Sequence, residues 1–316
     1  MTALPLASDP TITRAGGKQR VPRRKSSATV PRYIGYLFVA PFVIAFIAML
    51  IVPIGYALYL SLFETRLIGG ESFAGLNNYL RAFADPKLRD GLLRVVQFLV
   101  IQVPIMLALA LFFALALDSA RVYGSKIVRI LIFVPYAIPG VVGVLVWGYL
   151  YGTRFGLITQ LFNALGLPSP DLLASQNILG AMMNIVTWQY AGYNMIVMYS
   201  ALRAIPGDLF EAAMIDGATQ LQMAWSIKIP AIRSAIALCA IFSAIGAFQV
   251  FTEPNLMQPL APTVVTNWYT PSYYAYNTAF LEHNTSYAAT LAFALGLVIA
   301  IAAYAVQLLS KRAARP

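Results

Sequence analysis

Six stretches of this chain, each 18 residues or longer, contain no Asp, Glu, Lys, Arg or His, and that fixes the solvent for which the chain is built. They fall near 33–62, 95–117, 130–151, 178–201, 234–251 and 287–309. Each is long enough to cross roughly 30 Å of hydrocarbon, which takes about 20 helical residues. In lipid every backbone N–H and C=O must be satisfied within the protein, so runs of this length fold as helices. The composition agrees: 59% of the 316 residues are hydrophobic and 11% are charged, where charged residues make up about a quarter of an ordinary soluble domain. The expected fold is an all-α integral membrane protein with six transmembrane helices spread over 32–316.

The first stretch is longer than a crossing needs and contains Pro41 and Pro53, so tilt or a kink is expected. The third carries Pro135 and Pro139, which free backbone carbonyls that neighbouring helices must answer. Residues 1–31 are rich in Arg, Lys, Pro, Ser and Gly without apolar periodicity, and read as a disordered basic tail. The Arg23-Arg24-Lys25 cluster precedes an apolar run too long for a signal core, with no small-residue cleavage site, so this run reads as an anchor. With the N-terminus inside, the cytoplasmic segments hold sixteen of the 22 Lys and Arg residues and the outer loops six. The positive-inside rule then places both termini in the cytoplasm of a multi-pass cell-membrane protein. The net charge of +10 is spread over the ends of apolar runs, so it points to the lipid surface and not to nucleic acid.

The residues leave little room for catalysis. His283 is the single histidine and Cys239 the single cysteine, which rules out a Cys/His metal set and an internal disulfide, and Cys239 reads as a packing residue. No serine elbow, paired intramembrane carboxylates or phosphate-binding Gly-x-x-x-x-Gly-Lys-Ser/Thr loop is present. The chain is expected to be no enzyme, and energy for any transport must come from another chain. A charge at the bilayer centre costs about 2.5–3.5 kcal/mol. The absence of such charges weighs against an ion-coupled carrier, which stays as an alternative alongside a membrane enzyme.

Between the fourth and fifth stretches lies a polar interruption, 202–233, with Asp208, Glu211, Asp216 and Lys228. Pro206 fits a helix start, Asp208 and Glu211 have the spacing of a capping box, and a helix is expected from about 208 to 216. Gly217 stands where a left-handed turn would end it. Thr219 and Gln222 repeat the capping spacing for a second piece, which Pro230 is expected to close.

Glu211-Ala212-Ala213-Met-Ile-Asp216-Gly217-Ala218, followed at distance by Pro230, resembles the EAA motif of permease subunits in binding-protein-dependent ABC importers. The resemblance extends over most of the chain. Pro53-Ile-Gly-Tyr-Ala-Leu-Tyr-Leu-Ser61, Phe73-Ala-Gly75-Leu-Asn-Asn78-Tyr79, Pro135-Tyr-Ala-Ile-Pro139, Phe155-Gly156 and Tyr276-Asn-Thr-Ala-Phe280 are similar to maltose-type, first-position carbohydrate permeases. It departs at Ser234, where a second proline is usual, and at Leu256-Met-Gln-Pro259-Leu-Ala-Pro262, where the family often has a Leu-Thr-Gly-Gly-Pro-like turn. The resemblance implies that the loop is a cytoplasmic coupling helix seated on an ATPase subunit, with Phe210, Glu211, Ala212, Ala213, Asp216, Gly217 and Pro230 carrying that contact. It further implies a second permease subunit, two ATP-binding subunits that hold ATP and Mg, and an extracytoplasmic binding protein that delivers a carbohydrate. Glycerol 3-phosphate or a related polyol is the rival substrate.

The fourth stretch is the most polar. Thr187, Tyr190 and Asn194 share a helical face, with Trp188 and Tyr193 beside them, and the fifth stretch adds Ser243 and Gln249. Sugars need hydrogen-bonding groups and aromatic rings, so these seven are candidates for a substrate path. The bland alternative for each is packing between helices. Trp268, Tyr269, Tyr273, Tyr274 and Tyr276 read as an interfacial aromatic belt, with contact to a binding protein as the rival.

Overall fold

The computed structural model describes residues 32–66, 70–119 and 123–313; the expected tail 1–31 lies outside them. The chain divides between Pro53 and Ile54 into two compact units. The first includes α1 (Arg32–Phe46), which holds Pro41, and a π-helical turn, Ile47–Ile51. The helix α2 (Val52–Ser61) follows in sequence, and the most apolar 18-residue window within 36–61 has a mean hydropathy of 2.8.

A two-stranded antiparallel hairpin, β1 (Phe63–Arg66) and β2 (Gly70–Phe73), pairs Phe63 with Phe73. Short helix α3 (Asn77–Ala84) ties it down: the Asn78 amide donates to the carbonyls of Ser61 (3.1 Å) and Phe63 (2.8 Å). Then come α4 (Pro86–Gln97), a second π-helical turn (Phe98–Gln102) and α5 (Val103–Asp118), together one helical run of 33 residues.

The third apolar stretch is not one straight crossing. It forms α6 (Ser125–Ala137) and α7 (Gly140–Leu150), bent by 96° at the break. Ile138, before Pro139, is extended, as the proline ring requires of its predecessor. The carbonyl freed there is answered from a neighbouring helix: Gln189 Nε2 donates to Ile138 O at 3.3 Å.

After α8 (Leu157–Ala164), the 26-residue helix α9 (Ile178–Arg203) forms the centre of the bundle. It packs closely on α5 and α6. Buried Ala110 and Ala114, one turn apart on α5, admit Met195, Met198 and Leu202 of α9. At Gly192 the approach is tighter still, since an added Cβ would lie 2.1 Å from the Ile132 carbonyl oxygen on α6. Buried Cys239 fills the same cluster.

The polar interruption gives α10 (Asp208–Ile215), α11 (Gln220–Met223), a third π-helical turn (Ala224–Lys228) and α12 (Ile229–Ala231). Two expectations fail here. The Asp208–Glu211 capping box does not form, because Gly207 is the N-cap and its carbonyl takes the Phe210 and Glu211 amides, leaving Asp208 inside the first turn. Pro230 does not close its helix either, since the helix runs on to Ala231 before bending by 66° into α13 (Arg233–Phe248). Gly217 does adopt the left-handed conformation, with φ of 80°, and the Thr219–Gln222 capping box is complete.

The chain ends with α14 (Thr252–Met257), α15 (Pro271–Phe280) and α16 (Thr285–Ala313). Among the described residues three helices are long and apolar enough to cross a membrane, or up to five if each bent pair is one crossing. Helix α9 has the length and falls short only through its polar side chains. Large apolar side chains such as Phe112, Leu145, Leu297 and Ile301 face outward, a surface that water would not tolerate over this extent.

The three π-helical turns share one cause. Each ends two residues before a proline: Ile51 before Pro53, Gln102 before Pro104 and Lys228 before Pro230. A proline lacks an N–H and its ring collides with the carbonyl one turn earlier. Widening the preceding turn relieves that collision without breaking the helix, and the residue before each proline bonds five back, as Val103 N–H does to the Phe98 carbonyl.

Candidate functional site

The polar residues of α9 do not scatter. A cavity of about 370 Å3 opens between α5, α6, α9, α13 and α14, within the size range of small-ligand sites, about 300–1,000 Å3. Of the seven residues singled out for a substrate path, Tyr190, Tyr193, Asn194, Ser243 and Gln249 line it. Tyr193 stacks on Tyr136 at 4.9 Å and Tyr190 meets the same ring edge-on at 5.9 Å. Asn194 Nδ2 donates to the Tyr190 carbonyl at 3.0 Å, which fixes the amide on that wall.

The other two candidates go elsewhere. Trp188 packs edge-on against Trp147 at 5.8 Å, and its ring lies 3.3 Å from where a Cβ on Gly143 would be. It joins α9 to α7. Thr187 accepts a hydrogen bond from Gln102 Nε2 at 3.3 Å, so it orients a lining residue without lining the cavity itself.

Sequence reasoning missed Gln102, Tyr136, Thr252 and Glu253, which complete its polar side chains; Met106, Val186, Phe242 and Val250 are among the apolar remainder. Glu253 is buried at the start of α14, and no Lys or Arg among the described residues lines the cavity. The walls therefore offer amides, hydroxyls, a carboxylate and aromatic faces. That set suits a polyhydroxylated, uncharged ligand, whose hydroxyls need donors and acceptors and whose C–H faces stack on rings. It suits a phosphate less well, since among the described residues the lining supplies no cation to answer the charge. Gln102 carried a signal in retrospect: it is a polar side chain two residues before an intrahelical proline.

Six of the seven residues proposed for ATPase coupling lie together on α10 and just beyond it. None of the α10 side chains is buried, and Leu209, Met214 and Ile215 are exposed apolar groups at a surface. A solvent-facing helix with such side chains is incomplete by itself. Pro230 sits apart from them, in α12.

The aromatic cluster is not a belt. Tyr269, Tyr273 and Tyr274 are buried, because α15 folds back on α4 and α16 and closes over them. Tyr274 and Tyr287 both donate to Asp85 Oδ2 at 2.8 Å, while the Lys87 ammonium lies 4.9 Å from the Trp268 ring. Of the five, Tyr276 remains exposed.

Residues 82–315 match the family described as binding-protein-dependent transport system inner membrane component. The lactose transport system permease protein LacF of Rhizobium radiobacter is 30% identical over 289 residues, covering 88% of this chain and 95% of its own length. The diacetylchitobiose uptake system permease protein NgcF of Streptomyces coelicolor is 29% identical, covering 98% of this chain and 90% of its own. The sn-glycerol-3-phosphate permease protein UgpA of Escherichia coli is 35% identical over 205 residues, 64% of this chain and 68% of its own. Among solved structures, a chain of a bacterial alginate ABC transporter in complex with an alginate pentasaccharide-bound periplasmic protein superposes with a TM-score of 0.76 at 20% identity. That match covers 90% of this chain and 96% of the other, and shows a shared fold.

Proposed function

The chain belongs to the inner membrane component family of binding-protein-dependent transport systems, and from that premise we propose that it forms half of the pathway of an ATP-driven carbohydrate importer. The observation that carries the substrate class is the cavity, with amides, hydroxyls and aromatic rings around Glu253 and no cation among the described residues. Relatives named for lactose and diacetylchitobiose support the same reading. Glycerol 3-phosphate, named for another relative, fits the lining less well for the electrostatic reason given above.

In this reading the chain crosses the membrane six times, with α6–α7 and α11–α13 as bent crossings and α9 as the polar one. Both termini and α10 face the cytoplasm. A second permease completes the pathway, an extracytoplasmic binding protein delivers the sugar, and two ATP-binding subunits hold ATP and Mg. Helix α10 is the handle on which one of them pulls: Glu211 lies in its first turn, where an acid favours the helix dipole, and the exposed Leu209, Met214 and Ile215 supply apolar contact. Nucleotide-driven closure of the ATPases exposes the cavity alternately to the two sides, to the extent that each state makes different contacts. No residue of this chain hydrolyses anything in this account.

Two variants test the handle. Glu211→Lys reverses the charge presented to the ATPase. Gly217→Asp places a side chain at a left-handed φ of 80°. Both are expected to insert at normal abundance and to abolish growth on sugars that require the intact gene. Unchanged growth in both, at normal abundance, would remove α10 from the mechanism.

A further inference from the structure

Among the described residues, one ion pair joins the exposed loop to the packed bundle. Lys228 Nζ lies 2.6 Å from Asp118 Oδ2, with the two side chains only 8% and 7% exposed. The same ammonium sits 5.1 Å from the centre of the Phe210 ring. Three elements thus meet at one charge: the end of α5, the π-helical turn before α12, and α10.

Neither charge is placed where its own element favours it. Asp118 is the last residue of α5, where the helix dipole disfavours an acid. Lys228 is buried and, without Asp118, would be an uncompensated charge in a dry site. Each is therefore held by the other. The π-helical turn Ala224–Lys228 exists because Pro230 follows it, and Lys228 is its last residue. One turn later Ile232 is buried in the cluster formed by Ala114, Leu117, Met198 and Leu202. A displacement of α10 therefore reaches α5 and α9 through a short, charged and water-excluded path.

We infer that Asp118, Lys228 and Phe210 form a latch that passes movement of α10 to α5 and thereby to the wall of the cavity. Lys228 and Asp118 are positioning residues: they touch no substrate and act through α10. The latch rests on the reading of α10 as the ATPase handle, and its test separates the two.

The assembled transporter in lipid nanodiscs, carrying Cys239→Ser and Ser243→Cys, reports on the cavity through its labelling by N-ethylmaleimide. No transported ligand is needed, since the probe is Mg-ATP with vanadate. With the latch intact, trapping the nucleotide is expected to change the labelling rate by about tenfold, a coupling of ordinary allosteric size. Asp118→Asn and Lys228→Met are each expected to hydrolyse and trap nucleotide yet lose that change, and the exchange pair Asp118→Lys with Lys228→Asp is expected to regain it. If the neutral variants do not accumulate, Phe210→Leu decides. It keeps the ion pair and removes the ring, so the change in labelling per nucleotide trapped should shrink. Parent-like responses in the neutral variants, or in Phe210→Leu, would overturn the latch. A Glu211→Lys protein that still traps nucleotide and responds like the parent would instead overturn the handle on which it rests.

Discussion

The helical run Pro86–Asp118 begins beside one aspartate and ends on another, about 50 Å apart at ~1.5 Å per residue. Asp85, the N-cap of α4, accepts from the Lys87 amide at 2.9 Å and from the hydroxyls of Tyr274 and Tyr287 at 2.8 Å each. The helix dipole favours it there. Asp118 stands at the disfavoured end and is held by a single ammonium. One end is fixed redundantly to α15 and α16 around a buried aromatic cluster. The other end meets the loop through this ion pair and the buried Ile232, and the loop's helix α10 has no buried side chain. In the proposed reading, a cavity worked from the side of α10 has a stiff far end and a near end with an ion pair to act on.

The largest effect is expected at this ion pair. Asp118→Ala leaves Lys228 buried without a partner, which costs ~3–5 kcal/mol, read as a large drop in the melting temperature of the detergent-solubilised protein. A small drop would show the two ends to be equally redundant. Next comes Asp85→Ala, which removes a charged acceptor with three donors, for ~1.5–3 kcal/mol. Tyr287→Phe should cost less, about 1 kcal/mol, because Tyr274 still reaches Asp85. If Tyr287→Phe matched Asp85→Ala, the redundancy would be wrong.

Acid sharpens the contrast. Burial alone would raise the Asp85 carboxyl, but the two tyrosine hydroxyls, the Lys87 amide and the Lys87 charge outweigh it and leave it below its ordinary value of 3.8. A carboxyl lowered in the folded state adds stability that is complete above the unfolded value and lost as pH falls through the folded one. Melting temperature should therefore keep this contribution down to about pH 4 and lose it below. Asp85→Asn should lack that part of the decline, and an unaltered profile would dismiss it. The smallest effect belongs to the loop: Thr219→Ala removes the capping box of α11, worth ~0.5–2 kcal/mol. It should appear as faster hydrogen exchange over 219–224, with little change in global melting.

Much of this was legible in the sequence, for reasons that differ by residue. Polar side chains in an apolar run stand out, so the α9 set pointed to the cavity before its walls were known. The face each would take was less readable: Trp188 turns to α7, although it sits between residues associated with the cavity. Pro139 announced a break and an orphaned carbonyl, but neither the 96° bend nor the donor Gln189 follows from local sequence. Gly207 displaced the expected Asp208 cap because a glycine one residue upstream fits the N-cap as well, and local spacing does not choose between them. Glu253 escaped notice by lying just past an apolar run. The Asp118–Lys228 pair spans 110 residues, and the sequence marks Lys228 only as one charge of the polar interruption. Its place two residues before Pro230, like that of Gln102 before Pro104, is the local trace that the fold left.

The central claim is that force enters through α10 from a nucleotide-binding subunit on the cytoplasmic side. Cysteines placed at Met214 and Ile215 in a Cys239→Ser background test it directly, because both positions are exposed. Crosslinks from these positions to an ATP-binding subunit in native membranes, with no labelling by an impermeant thiol reagent added outside intact cells, are the predicted result. Labelling from outside, with no crosslink to such a subunit, would contradict it.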